Sequence, residues 1–267
     1  MIRVPEKCVR TFLFVLISAC AIIVISCSVS DPLHEQNGEA MASFRYSLAA
    51  EQTLSFSIEG INGSIEIVGT ENDSIEICGE RIVRSHTRQD ALEHLHLLQV
   101  HVRTLSSGIG VETGQPAHTE DRSYEVYYQI QLPRSMSVHA DLVNGQIEIQ
   151  EIQNTVQAAL VHGDIDCNAI DGRCDIAVVN GGIQCALRLS ENYNCSFSTV
   201  NGNILVAVPR AASAQLMARV TKGSISVNGI DVHNALATET TFSGILGSGQ
   251  GAVQLQTVHG HIEVRGH

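Results

Sequence analysis

One short phrase recurs along the second half of this chain, and it restricts the available folds more than any other feature. Val143-Asn144-Gly145-Gln146-Ile147-Glu148-Ile149 returns as Val161-His162-Gly163-Asp164-Ile165-Asp166-Cys167 and as Val179-Asn180-Gly181-Gly182-Ile183-Gln184-Cys185. Further copies run Val200-Asn201-Gly202-Asn203-Ile204-Leu205-Val206, Thr221-Lys222-Gly223-Ser224-Ile225-Ser226-Val227 and Val258-His259-Gly260-His261-Ile262-Glu263-Val264. A damaged copy stands at Phe242-Ser243-Gly244, and an isolated one at Ile61-Asn62-Gly63-Ser64-Ile65-Glu66-Ile67. From Gly145 to Gly260 the glycines are spaced by 18, 18, 21, 21, 21 and 16 residues. Self-similarity at such a period marks a stack of small units, each too thin to bury its own apolar face.

Counting from each glycine shows what the unit is. Two and four residues after it come Ile147/Ile149, Ile165/Cys167, Ile183/Cys185, Ile204/Val206, Ile225/Val227 and Ile262/Val264. Seven, five and three residues before it come Val138/Ala140/Leu142, Val156/Ala158/Leu160, Cys174/Ile176/Val178, Cys195/Phe197/Thr199 and Val253/Leu255/Thr257. The residues between are mostly polar, so each unit reads as two half-buried strands joined at a corner. Glycine suits the corner because it tolerates φ > 0, and Asn tolerates it better than most residues. Two topologies obey the pattern. In a β-solenoid, equal positions stack on parallel strands; in a meander, each Asn-Gly is a tight hairpin turn between antiparallel strands. The corner also accepts His162, Lys222, Ser243 and His259, and the phrase itself is what recurs, with no paired partner. These points favour an all-β, single-stranded β-solenoid with coils of 16–21 residues over 136–267.

Residues 44–135 read as a β-strand module that precedes the coils. Phe56/Ile58, Ile65/Ile67 and Ile75/Ile77 alternate with polar residues, and Tyr124-Val126-Tyr128-Ile130-Leu132 is a clean period-two run closed by Pro133. One short helix is expected at about 87–98. Thr87 with Asp90 three residues on is a capping pattern, and Ala91, Leu95 and Leu98 share a helical face.

The first 26 residues read as an export signal, with Arg3, Lys7 and Arg10 before an apolar run from Phe12 to Ile25. Val24-Ile25-Ser26-Cys27 resembles a lipobox, which makes Cys27 the expected lipid attachment point; Ile17-Ser18-Ala19-Cys20 makes Cys20 the second choice. Residues 27–43 then form a polar tether. Ser28 stands where Asp would favour inner-membrane retention, which points to the outer membrane in a Gram-negative cell. The chain carries a net charge of −12, and −14 without its first 26 residues, which argues against nucleic acid as a partner.

The signal, the Ile61–Ile67 strand, the helix, the Tyr124–Pro133 strand and the serial Val-Asn-Gly-x-Ile copies together resemble a bacterial β-strand-repeat family of adhesin-like proteins, a domain of unknown function. The resemblance spans roughly residues 44–267. It implies an exported, envelope-associated binding module and supplies no catalytic residues to carry over.

The residues that could carry chemistry are few. Cys167 and Cys185 occupy equal positions on successive repeats, as do Cys174 and Cys195, so each pair would stack inward as disulfides or as buried thiols. Directly stacked neighbours have poor disulfide geometry, and Cys167-x₆-Cys174 lacks zinc-ligand spacing. His94, His96, His101, His259, His261 and His267 read as solvated surface, as do Asp164, Asp166, Asp175 and Glu148. Gly244–Gly251 is followed by strand alternation at Val253-Gln254-Leu255, which makes it a turn and no phosphate loop. No nucleophile, cofactor site or metal site is nominated, so the expected function is a non-catalytic binding or scaffold module at the cell envelope. The alternatives are an enzyme acting on envelope polysaccharide and a structural spacer. Its partners would be the membrane, through the lipid, and a protein or glycan; a strand could also add at the C-terminal edge, where the chain stops within a repeat.

Overall fold

A computed structural model of the chain describes residues 38–50, 55–105, 108–189 and 193–267. The signal segment, Cys20, Cys27 and most of the tether lie outside these residues.

The architecture is all-β with one short helix. The N-terminal part comprises β1 (Glu39–Ala49), β2 (Ser55–Thr70), β3 (Ser74–Arg84), α1 (Arg88–His94), β4 (Gln99–Thr104), β5 (Gly108–Gly114) and β6 (Ser123–Pro133). The repeats supply β7 (Ser137–Gln150), β8 (Val156–Ile170), β9 (Cys174–Asn180), β10 (Ile183–Leu187), β11 (Asn194–Asn201) and β12 (Ile204–Val208). The last four strands are β13 (Ala214–Asn228), β14 (His233–Ala237), β15 (Thr241–Leu246) and β16 (Gly251–Gly266). Thr87 caps α1 by accepting from the Asp90 backbone N–H at 3.2 Å.

The repeats pair in parallel and in register, which excludes the hairpin meander. Gly63 is level with Gly145 and Gly145 with Gly163; Ile65, Ile147, Ile165, Ile183 and Ile204 likewise pair in sequence. All five isoleucines are buried. Two walls diverge from each glycine corner. The residues before it build one wall through β2, β7, β8, β9, β11, β16 and β13. Those after it build the other through β2, β7, β8, β10, β12, β16 and β13. Their inward side chains merge into one core with those of the N-terminal strands.

The corner glycines form a column. Gly63, Gly145, Gly163, Gly181, Gly223 and Gly260 have φ between 123° and 152°. A Cβ on Gly145 would fall 1.8 Å from the carbonyl oxygen of Gly63, and one on Gly163 would fall 1.7 Å from that of Gly145. Asn beside these glycines has a reason other than the one expected. None of Asn62, Asn144, Asn180 or Asn201 has positive φ. Their side chains bond along the stack instead: Asn144 Nδ2 donates to Asn62 Oδ1 and Asn201 Nδ2 to Asn180 Oδ1, each at 2.8 Å.

Spatial order departs from chain order at the C-terminus. The final strand, β16, lies between β12 and β13 in one wall and between β11 and β13 in the other, parallel to each. The damaged copy around Gly244 belongs to β15, which runs antiparallel to β13 outside the glycine column. This corrects the expected strand-addition edge: the C-terminal strand is interior, and its N–H and C=O groups are taken on both sides. The wall after the corner ends at the second half of β13, whose residues from Lys222 to Asn228 pair with β16. Beyond β2, β6 joins one wall and β5 the other, each parallel to it. Antiparallel strands then finish the ends, with β3 and β1 beyond β6, β4 beyond β5, and β15 and β14 beyond β13.

Candidate functional site

The repeated phrase contributes its valine to the surface. Alternation turns inward the residues seven, five and three before the glycine, so the residue two before it faces out. Val143, Val161, Val179 and Val200 are 40%, 36%, 42% and 41% exposed, and they stack on successive strands. With the small side chains Ala159 and Ala177 they line a groove of about 670 Å³ on the outside of the wall before the corner. It runs along the stack axis from the strand of Gly63 to that of Gly202, four steps of about 4.8 Å, or about 19 Å. Ser198 is shared with a second hollow of about 410 Å³, which continues over Phe197, Met217, Phe242 and Leu255.

One end of this groove is acidic. Glu59 lies in register with Glu112 on one side and Asp141 on the other, which places three carboxylates on adjacent strands. Glu112 is paired with Arg103 at 2.9 Å, and Asp141 Oδ2 with His139 Nε2 at 3.0 Å. Asp141 Oδ1 is buried without a hydrogen-bond partner. Among the described residues, no cationic or aromatic side chain lines the groove. Its floor is backbone already engaged in sheet ladders, so it has few donors or acceptors to offer a ligand.

The cysteines are closer than stacking alone implied. Cys185 pairs in register with Cys167, and Cys195 with Cys174, all four buried. Beyond this, Cys174 reaches across the core from the opposite wall, and the sulfurs of Cys167, Cys174 and Cys185 all lie within 4.8 Å of one another. Cys195 turns aside, its Sγ 3.7 Å from the Gly172 carbonyl oxygen. Hydrogen bonding to Cys167 and burial hold Cys174 protonated, while burial raises Cys185 and pushes Cys195 up to about 11. Hydrogen bonds from Cys174 and Cys185 make Cys167 the first of the trio to lose a proton. Equal repeat positions predicted the stacked pairs; the contact across the core depends on how the two walls converge, which spacing does not encode.

The remaining candidates are dispersed. His94 Nδ1 and His96 Nδ1 lie 2.8 Å from the carbonyl oxygens of Asp90 and Glu93, and His261 Nδ1 lies 2.7 Å from Ser224 Oγ. Among the acidic residues, Asp164 Oδ1 accepts from the Gly182 N–H at 2.6 Å, Asp166 from Gln146 at 3.2 Å and Asp175 from Arg173 at 2.6 Å. Gly247 and Gly249, with φ of 53° and 74°, make the turn between β15 and β16. Among the described residues, the cysteine trio is the one group of three or more His, Cys, Asp or Glu side chains with ligand atoms this close together.

Residues 127–265, just over half of the chain, match a known family, and they take in the glycine column from Gly145 onward. The chain belongs to the Toastrack DUF4097 family. The family match begins inside β6 and runs almost to the end of β16, so it includes both the four valines of the groove and the cysteine trio. No curated protein matches the sequence. Among solved structures, a "putative cell adhesion protein" from Clostridium sporogenes is 11% identical, with 85% of this chain and 100% of that one covered at a TM-score of 0.45. A "putative adhesin" from Bacteroides fragilis is 9% identical, covering 84% and 97% at a TM-score of 0.35. A "putative lipid binding protein" from Parabacteroides distasonis is 5% identical, covering 84% and 97% at 0.25.

Proposed function

We propose that the chain is an exported lipoprotein of the cell envelope, anchored through Cys27, whose solenoid-like β-stack is a non-catalytic binding module for an alkyl chain bearing a cationic head. The groove of stacked valines carries this reading. A ligand lying along it meets a largely aliphatic surface about 19 Å long and, at one end, the Glu59, Glu112 and Asp141 carboxylates, of which Glu112 is paired with Arg103 and Asp141 with His139. An ammonium group there would form charge-assisted hydrogen bonds with the exposed carboxylate oxygens at this end. A peptide laid on the same floor would bury amides without partners, and a sugar would find no aromatic face on which to stack.

The decisive measurement is binding of the purified protein to dodecylamine, dodecanoate and an aliphatic decapeptide. The amine is expected to bind best. Each methylene removed from water contributes up to about 0.8 kcal/mol, and an open groove covers about half of it, so an amine four carbons shorter should bind about tenfold more weakly. Val161→Lys, at an exposed position, should abolish amine binding and leave the melting temperature unchanged. Equal binding of amine and carboxylate, preference for the peptide, or binding untouched by Val161→Lys would reject the assignment. The anchor is tested separately: Cys27→Ser should release the protein from membranes.

A further inference from the structure

The wall-spanning cluster of Cys167, Cys174 and Cys185 has no part in the groove, and its chemistry is open to three outcomes: buried thiols, a thiolate-bound metal, or a cystine. Charge decides between the last two. A zinc ion with three thiolates carries −1 and a copper(I) ion −2, and among the described residues no Lys or Arg is buried in the core. An uncompensated charge in an apolar interior is far more costly than a neutral sulfur–sulfur bond. Geometry then decides which pair. Cys167 and Cys185 are direct neighbours on parallel strands, where Cβ atoms about 4.8 Å apart exceed the usual disulfide span of about 3.5–4.5 Å. Cys174 faces both from the other wall.

We infer that Cys174 forms a disulfide across the core with Cys167 or Cys185, leaving the third cysteine as a free thiol in contact with the bond. The oxidant is a disulfide compound that reaches the folding chain before the walls close. The Cys167 thiolate attacks it and releases one oxidant thiol; the Cys174 thiolate then attacks Cys167 sulfur and releases the second. Two protons and two electrons leave the protein, and the oxidant ends as two thiols. Attack of Cys185 on Cys174 transfers the bond to the Cys174–Cys185 pair and returns Cys167 as a thiol. The device therefore fastens wall to wall in either of two pairings that share Cys174. It depends on the export reading only for the source of oxidant.

The test supplies that oxidant directly. Full-length chain is refolded from guanidinium in a glutathione redox buffer, alkylated in denaturant without reduction, and digested with trypsin. Cleavage at Arg134, Arg173, Arg188 and Arg210 places Cys167 in peptide 135–173, Cys174 and Cys185 together in 174–188, and Cys195 in 189–210. The expected map shows 135–173 joined to 174–188, or 174–188 with an internal cystine and lighter than its unalkylated dithiol by two hydrogen atoms, and Cys195 alkylated. Cys185→Ala should leave only the joined pair, Cys167→Ala only the internal cystine, and Cys174→Ala neither. Alkylation of all four core cysteines in the refolded wild type would overturn the inference. So would a Cys167–Cys185 bond surviving in Cys174→Ala, or one equivalent of zinc or copper retained by the trio.

Discussion

A methyl group built on Gly223 would fall 1.7 Å from the carbonyl oxygen of Gly260, although Gly260 comes later in the chain than Gly223 and the damaged repeat between them. The next neighbour in the column is Gly202, whose carbonyl oxygen lies 1.9 Å from a Cβ on Gly260. Three corners thus touch in the order 202, 260, 223. At Gly223 and Gly260 glycine is required for two independent reasons, a backbone angle that side chains resist and a neighbouring carbonyl that fills the space of a Cβ; at Gly202 the second alone applies.

Adjacent glycines in one repeat separate this requirement from mere composition. At Gly181 φ is 149° and a Cβ would meet the Gly163 carbonyl oxygen at 1.8 Å, whereas at Gly182 the nearest atom is Asp164 Oδ1 at 3.3 Å. Gly181→Ala should therefore cost about 2–4 kcal/mol, and Gly182→Ala less than about 1 kcal/mol. Urea denaturation of the two variants measures the difference. Equal midpoints would show that the column can shift to admit a side chain.

Much of this was legible from the residues and some was not, for reasons that can be stated. The period placed Ile147, Ile165, Ile183 and Ile204 on one inward file, because a strand's alternation and a repeat's spacing are both local. The same alternation put Val161 and its equivalents outside, although an apolar residue in a repeated phrase invites the opposite reading. The position of β16 was not legible, since its repeat is as good a copy as any other and nothing local says which neighbour it will join. The damage at Phe242-Ser243-Gly244 was the one available clue, as this copy lacks the Ile two residues after the glycine and the Ile, Val or Cys four residues after it that the other copies have. The acidic end of the groove was hidden for a similar reason: Glu112 comes from β5, far in sequence from Asp141, and only the pairing of both strands with β2 brings them together.

The ion pair beneath the helix gives the fold a dependence on acid that has a definite sign. Arg122 Nε and Nη2 donate to Asp90 at 2.6 and 2.8 Å, and the Ser85 hydroxyl also bonds this carboxylate. These partners, Arg122 first, hold the Asp90 carboxyl below the ordinary carboxylate range. A folded-state value below the unfolded value of about 3.9 means that the stabilisation is complete well above pH 4 and is lost as the pH falls through the folded value. Arg122→Ala should therefore shift the acid-unfolding midpoint to higher pH, followed by circular dichroism, while the profile between pH 6 and 8 stays flat. A midpoint unchanged in the variant would show that α1 is held by packing at Ala91 and Leu98 alone.

The interior position of β16 makes the C-terminal strand the place where one substitution should do the most damage. Glu263 is in register with Leu205 on one side and Ser226 on the other, so its backbone lies in a ladder with two neighbours, where proline is not tolerated. Glu263→Pro removes an N–H donor and places a ring against an adjacent strand, at a cost of about 3 kcal/mol or more. For a folded unit of this size, that corresponds to a fall of about 6–12 °C in Tm. Because β16 joins the early coils to β13, and through β13 to β15 and β14, the loss should appear in a single transition common to all probes. A variant whose Tm fell by less than about 2 °C, or whose C-terminal strands melted separately from the rest, would mean that the last repeat is an addition at the edge, and the stack would then follow chain order after all.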